Sequence, residues 1–246
     1  MMAQKIALIS DIHANLEALE AVLKEIEKHK PDKIICLGDI VGYGANPREC
    51  IDLVRKNCDV VLLGNHDEAV FSPEITDAFV EHARYSAEWT RAQLTEQDIE
   101  WLKTLPYTYQ EGDYFFCHGA PYSPEDYIYL VTKEAGYWSL KFLQSIRAKA
   151  SLSGHAHITY IFGFDLNGNF VVGAPSVIDF SDFQNVAINV GSVGQPRDGN
   201  PKSAFGIIEN GRYIALRVQY DIEKASRKIK EAGLPKILYE RLFVGR

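Results

Sequence analysis

The 246-residue sequence holds seven histidines: His13, His29, His66, His82, His118, His155 and His157. Five of them follow directly on short apolar runs, beside Asp11, Asp39, Asn65 and Asp67. Ile6–Ile9 leads into Asp11-x-His13, Lys33–Leu37 into Gly38-Asp39, and Val60–Leu63 into Gly64-Asn65-His66-Asp67. Tyr114–Cys117 leads into His118-Gly119, and Ala150–Ser153 into Gly154-His155-Ala156-His157. If each run is a strand of an α/β sheet, every one of these turns lies at a carboxyl end, the edge where such sheets bind ligands. Neutral imidazoles, carboxylates and an amide oxygen make a mixed N/O donor set suited to manganese, iron, zinc, nickel or cobalt. Singly the pieces say little, because Asp-x-His after a strand and Asp39 after Gly38 are common turn features. His155 and His157, two residues apart, share one face of an extended chain. It is the ordered set that points to a metal centre.

The elements that must position these turns follow from periodicity. After the first run, Leu16, Leu19, Val22, Leu23 and Ile26 form a 3.6-residue stripe that ends near Pro31. Strands alternating with helices predict a parallel α/β sheet in the first two-thirds of the chain. Residues 71–112 read as a helical segment, with Thr95-x-x-Asp98 as a capping box for a helix that stops before Pro106. After His157 the pattern turns β-rich. Asn167-Gly168 and Asn210-Gly211 are type I′ turn signals, which predicts a second, mostly antiparallel sheet. Ile222, Ala225 and Ile229 mark a last amphipathic helix. No repeat or linker-like stretch divides the chain, so residues 1–246 read as a single domain with two sheets.

The ordered blocks Asp11-x-His13, Gly38-Asp39, Gly64-Asn65-His66-Asp67, His118-Gly119 and Gly154-His155-x-His157 resemble the calcineurin-like metallophosphoesterase superfamily. The resemblance spans roughly residues 5–230. Val41-Gly42-Tyr43-Gly44-x-Asn46-Pro47 and Gly191-Ser192-Val193-Gly194-Gln195-Pro196-Arg197 are similar to its small bacterial and archaeal phosphodiesterase branch. The resemblance implies a four-layer αββα sandwich, two mixed β-sheets flanked by helices. It also implies two divalent transition metal ions, manganese first among them. Asp11, His13 and His157 would hold one ion and Asn65, His118 and His155 the other, with the Asp39 carboxylate bridging them. Carried over in the same way, His66 would be the general acid at the leaving oxygen, with Asp67 orienting its ring and keeping it protonated. The ion pair would lower the pKa of a bridging water and supply a hydroxide for in-line attack on phosphorus.

The same comparison narrows the substrate. Protein Ser/Thr phosphatases carry G-D-x-V-D-R-G and R-G-N-H-E blocks, whose arginines grip the phosphate. Here Gly42-Tyr43 and Leu63 stand at those places, so a phosphoprotein phosphatase is disfavoured. Arg197 is the candidate replacement if its loop returns to the metal edge; otherwise it is a surface arginine in a Gly/Pro turn. His82, Arg84, Tyr85, Trp89 and Arg91, and the stretch holding Tyr122, Tyr127 and Tyr129, read either as packing or as a wall for the substrate. Residues 173–189 are longer than the family's link, and Asp179-Phe180-Ser181-Asp182-Phe183 reads as an added hairpin.

Composition sets the outer limits. With 26 Lys+Arg against 33 Asp+Glu the net charge is −7, which disfavours stable nucleic-acid binding. No apolar run approaches a signal peptide or a membrane span. Cys36, Cys50, Cys58 and Cys117 lack CxxC spacing and read as reduced thiols of a cytoplasmic protein. The expected activity is hydrolysis of a small-molecule phosphodiester or nucleotide, with a phosphomonoester or dinucleoside polyphosphate as the alternative. A non-catalytic interaction scaffold on the same fold is disfavoured, because His66 and every presumed ligand are intact. A homo-oligomer is left open.

Overall fold

A computed structural model describes residues 4–246. The first strand shows how the layers arise. In β1 (Ile6–Ile9), Ile6 and Leu8 point to one side and Ala7 and Ile9 to the other, and all four are buried. Period-two alternation places neighbours on opposite faces, so a strand that is apolar throughout needs cover on both. Ala7 and Ile9 meet Leu19, Val22 and Ile26 of α1 (Leu16–His29) together with Ile51 and Val54 of α2 (Pro47–Asn57). Ile6 and Leu8 meet Leu152, Ile161 and Ile188 of a second sheet. Helices, sheet, sheet and helix therefore stack in four layers.

Caps set the helix ends. The Asn15 side chain accepts from the Ala18 amide at 3.2 Å to open α1, and left-handed Lys30 closes it just before Pro31. β2 (Lys33–Cys36) and β3 (Val60–Val61) follow parallel to β1, with α1 and α2 as the crossovers. Next come the single-turn α3 (Asn65–Glu68), α4 (Glu81–Gln93) and α5 (Glu96–Leu102). Thr95 and Asp98 exchange the predicted capping-box bonds, 3.2 Å and 2.9 Å long. β4 (Thr108–Glu111) lies inside the stretch read as helical and pairs antiparallel with β5 (Tyr114–Cys117). α6 (Lys133–Ile146) then leads to β6 (Ala150–Ser153), parallel to β5, and packs Leu140 and Leu143 on the outer face of its sheet.

The remaining strands correct the expectation of a separate antiparallel sheet. β7 (Thr159–Asp165), β8 (Phe170–Gly173), β9 (Val177–Asp179), β10 (Phe183–Val190), β11 (Ser203–Glu209) and β12 (Arg212–Val218) are shared between two six-stranded sheets. The orders are β3-β2-β1-β11-β12-β9 and β4-β5-β6-β10-β7-β8, and both sheets are mixed. The late strands complete the early ones because β1 and β6 each offer an unpaired edge. The supposed hairpin at residues 179–183 is instead a crossing between sheets: β9 pairs with β12 and β10 with β6 and β7. Phe180, 3% exposed, is buried between the sheets at the crossing.

The two Asn-Gly signals resolve differently. Asn210 and Gly211 both have positive φ (51° and 74°) in a two-residue turn between β11 and β12, as predicted. Residues 166–169 form a longer loop in which the Asp165 carboxylate accepts from the Asn167 and Asn169 amides, so type I′ is not adopted there.

α7 (Ile222–Glu231) lies against α1, and α8 (Lys236–Glu240) against α7. Between α1 and α7 the Glu17 carboxylate, 4% exposed, meets Lys228 at 2.6 Å and Lys224 at 3.2 Å. Burial pushes its pKa up, but bonds to the two ammonium groups outweigh this and hold it below the usual glutamate value. A carboxyl depressed in the folded state adds stability above its unfolded pKa and loses it as pH falls through the folded value. Glu17→Gln is expected to cost about 1–3 kcal/mol at neutral pH. The gap should close below about pH 4 in urea unfolding curves.

Candidate metal centre

The carboxyl ends of β1, β2, β3, β5 and β6 all open onto one edge, and the turns after them interlock through the backbone. The Asp11 amide donates to Gly38 O (3.0 Å), the His13 amide to Asp39 O (3.0 Å) and the Gly154 amide to His118 O (3.0 Å). Close approach depends on glycine. A Cβ on Gly154 would collide with the Ser10 hydroxyl and the Asp11 carboxylate, and one on Gly64 with the Asp39 backbone. Asp11, His13, Ala14, Asp39, Tyr43, His155 and His157 all adopt left-handed φ between 49° and 64°. For non-glycine residues this conformation is costly and gathers at functional sites.

The side chains form two groups that share Asp39: Asp11, His13, Asp39 and His157, and Asp39, His118 and His155. Within each group the ligand atoms lie within 4.8 Å of one another. Asp39 Oδ2 is 3.5 Å from His13 Nε2 and 3.3 Å from His118 Nε2, and Asp11 Oδ1 is 3.3 Å from His157 Nε2. Asn65, 6% exposed, stands at N1 of α3 beside the second group.

Hydrogen bonds show which ring nitrogens are free. Nδ1 of His13 faces Val41 O (3.1 Å), that of His118 faces Leu37 O (2.8 Å) and that of His157 faces Gln195 O (2.6 Å). A carbonyl only accepts, so Nδ1 carries the proton and a neutral ring presents the Nε2 lone pair. His13 Nε2 and His157 Nε2 then meet at 3.0 Å, two acceptors aimed at one point. Asp39 Oδ2, Asn65 Oδ1, His118 Nε2 and His155 Nε2 are likewise buried without a hydrogen-bond partner. Such orphaned atoms carry a desolvation cost. A divalent cation accepts lone pairs from all of them, so this donor set fits metal ions.

Protonation agrees with that reading at three of the four rings, and at His118 a cation would have to displace a proton. Burial pulls His13 and His157 well below the usual histidine range and His155 down to about 3, leaving neutral rings. Burial lowers His118 as well, but the Asp39 and Asp11 carboxylates outweigh it and lift the ring to about 9. Burial, aided by Asp39, raises Asp11 to about 7. Burial would raise Asp39 too, but the imidazoles of His118, His66 and His13 hold it well below the usual carboxylate range.

His66 is beside the cluster, with ring centroids 5.0 Å from His13, 4.4 Å from Tyr43 and 4.7 Å from Phe79, and its Nδ1 has no partner. The expected role of Asp67 is corrected. Its Oδ1 accepts from the Ile40 (2.9 Å) and Val41 (3.1 Å) amides and its Oδ2 from the Gly64 amide (3.1 Å), so neither oxygen reaches the His66 ring. Asn65 and His66 lie on a helical turn, where the N3 carboxylate caps backward rather than orienting its neighbour. Without that partner, burial takes His66 down to about 4.

Arg197 does return to this edge. Its amide donates to His157 O (2.9 Å), its Nη2 to Gln195 Oε1 (2.7 Å), and its guanidinium lies 5.7 Å from the Tyr43 ring centre. Tyr43, whose ring is also 4.6 Å from His13, had no signal of its own beyond its place in the Gly42-Tyr43-Gly44 turn. Tyr129 stacks on His155 at 3.8 Å. Of the other wall candidates, Arg84 caps Thr76 O and Asp77 O, and Trp89 packs among Phe79, Tyr220 and Leu238.

Two packed mixed sheets whose strand ends converge on this donor set are the architecture of a metal-dependent phosphoester hydrolase. The calcineurin-like phosphoesterase family profile matches residues 4–159, and the chain belongs to that family. It is 39% identical over 257 residues to an uncharacterised protein of Methanocaldococcus jannaschii, covering 100% of both chains. A crystal structure of a metallophosphoesterase from Sphaerobacter thermophilus is 36% identical, with a TM-score of 0.84 over 99% of this chain and 100% of that one. A hypothetical protein from Pyrococcus horikoshii shares the fold at 20% identity, with a TM-score of 0.79 over 98% of each chain.

Asp67→Ala strips the acceptor from three buried amides. With about 1–3 kcal/mol for a buried group left unsatisfied, the variant is expected to lose at least about 2 kcal/mol in urea unfolding. Full stability would show that Asp67 does not tie these loops together.

Proposed function

We propose that the chain is a dinuclear, manganese-dependent phosphodiesterase for small soluble esters. The observation that carries this reading is the pair of facing Nε2 atoms on His13 and His157 beside the orphaned oxygens and nitrogens around Asp39. Asp11, His13, His157 and Asp39 would hold one ion, and Asp39, Asn65, His118 and His155 the other. When bound, the ions supply Lewis acidity at the phosphoryl oxygens and acidify a water. Water adds across a P–O bond, leaving a phosphomonoester and an alcohol.

The chain's own residues do the rest. Arg197, braced by Gln195 and Tyr43, would grip a phosphate oxygen and set the ester against the cluster. His66 would protonate the leaving oxygen, and the anionic ester supplies the counter-charge that burial denies this ring in the free chain. Four free cysteines support a reducing compartment such as the cytoplasm. No helix among the described residues is long and apolar enough to cross a membrane.

Manganese-loaded protein is expected to bind about two ions per chain, as the two-metal reading requires. Asp39→Asn should weaken both sites by more than about tenfold, since an amide cannot serve two cations as a carboxylate does. Saturation at one ion in the parent chain would refute the dinuclear reading. The substrate class is read by turnover of bis(p-nitrophenyl) phosphate against p-nitrophenyl phosphate, cyclic nucleotides and diadenosine polyphosphates.

His66→Asn separates acid catalysis from ligation. It should keep its metal but lose about 10²–10⁴-fold in turnover of an alkyl ester. A nitrophenyl ester, whose leaving anion is already stable, should lose less. Equal losses for both esters at full metal content would assign the proton to another group.

A further inference from the structure

Arg197 lies over Tyr43, near Tyr129. A cavity of about 400 Å³ opens beside Asn65 and His155. These two residues are 6% and 5% exposed, and their Oδ1 and Nε2 atoms, part of the donor set above, have no hydrogen-bond partner. Whatever fills this cavity lies beside His155 of the candidate metal cluster.

Its walls are aromatic and its rim is acidic. Phe79, Tyr127 and Tyr129 line it, with Tyr129 stacked on His155 and Phe79 against His66. The Tyr127 hydroxyl donates to Glu68 Oε2 at 2.5 Å, so its polar end is already engaged and the ring is left to the cavity. Glu74, Asp77, Glu125 and Asp126 line the rim, and Asp77 is met by Arg84 at 4.0 Å. Among the described residues no lysine or arginine pairs with Glu74, Glu125 or Asp126, and none of the four belongs to a cluster tight enough to hold a metal ion. Three unpaired carboxylates repel a second phosphate and serve no purpose for an apolar group. Aromatic faces combined with carboxylates are the surroundings that bind an organic ammonium.

The geometry points to a subsite for the ammonium group of the esterified alcohol, which makes the substrate a soluble phosphodiester of an amino alcohol. This inference rests on the phosphodiesterase reading above and narrows it. Within that reading it disfavours nucleotides and dinucleoside polyphosphates, whose extra phosphates would meet the acidic rim. The ammonium would sit between the rings and the carboxylates while the phosphate faces the ligand cluster and Arg197.

Two measurements test it. In the first, tetramethylammonium is titrated into the metal-free chain and followed by saturation-transfer NMR. Binding is expected, and loss of binding in the double variant Glu74→Gln, Glu125→Gln. Both side chains are exposed, so the variant should fold, which circular dichroism checks. In the second, manganese-loaded enzyme is given glycerophosphocholine, glycerophosphoethanolamine and the uncharged-alcohol analogue glycerophosphoglycerol. The cationic esters should be preferred by about tenfold or more in kcat/KM. In the double variant this ratio should fall toward one, mainly through KM.

Turnover of bis(p-nitrophenyl) phosphate with no cationic preference, or no tetramethylammonium binding, overturns the subsite and leaves the phosphodiesterase reading standing. Tetramethylammonium binding with no turnover of any ester supports the subsite and overturns the phosphodiesterase reading instead. Cleavage of phosphatidylcholine vesicles without cleavage of the soluble esters overturns the soluble class.

Discussion

The Asp39 carboxylate, held between His13 at 3.5 Å and His118 at 3.3 Å, is the constraint on which the site depends. His13 comes from the turn after β1 and His118 from the turn after β5, which belong to different sheets. Both sheets must therefore deliver their strand ends to one edge in a fixed relation. That relation is kept by the dry layer between them, where Ile6, Leu8, Ile35 and Leu37 of one sheet meet Phe116, Leu152 and Ile188 of the other. Removing charges and lone pairs from water without partners is destabilising. The chain alone leaves several such atoms facing one point, so metal binding and the stability of this edge are linked.

Backbone conformation at the site is unfavourable for the same reason. Asp11, Asp39, His155 and His157 all take left-handed φ so that their side chains turn inward instead of continuing along the strand. Residues in such conformations cost on the order of 1 kcal/mol or more each and persist only where the surroundings over-determine them. Here the surroundings are the interlocked amide bonds between turns, the glycines that admit them and the three amides tied by Asp67. Asp67 thus acts on the loops that carry the candidate ligands and not on its neighbour's ring.

Electrostatics explains how an acidic chain can attract phosphate. The formal charge of −7 describes the whole molecule, while Arg197, over Tyr43 beside the donor cluster, and any bound cations set a positive field at short range. Glu74, Asp77, Glu125 and Asp126 line the cavity beside Asn65 and His155 and add the opposite sign there.

By itself the sequence determined what depends on a few consecutive residues. The five turns that carry the candidate donors, the Thr95–Asp98 capping box, the α1 stripe and the Asn210-Gly211 turn all follow from offsets of one to four positions, because caps, turns and helical faces are local. Their order along the chain was enough to name the family. Only the tertiary structure decided what depends on distant partners. Strands β7 to β12 have similar alternation, and nothing in that pattern says which sheet each one joins, so a crossing at Phe180 read as a hairpin. Asp67 sits next to His66 in the chain, yet its oxygens go to the Ile40, Val41 and Gly64 amides, because α3 turns it backward. Tyr43 and Phe79 look like ordinary core residues and become part of the site because packing sets their rings against His66. Side-chain type is written in the sequence; which side chains share a pocket is set by contacts between residues far apart in it, and those exist only once the two sheets have packed.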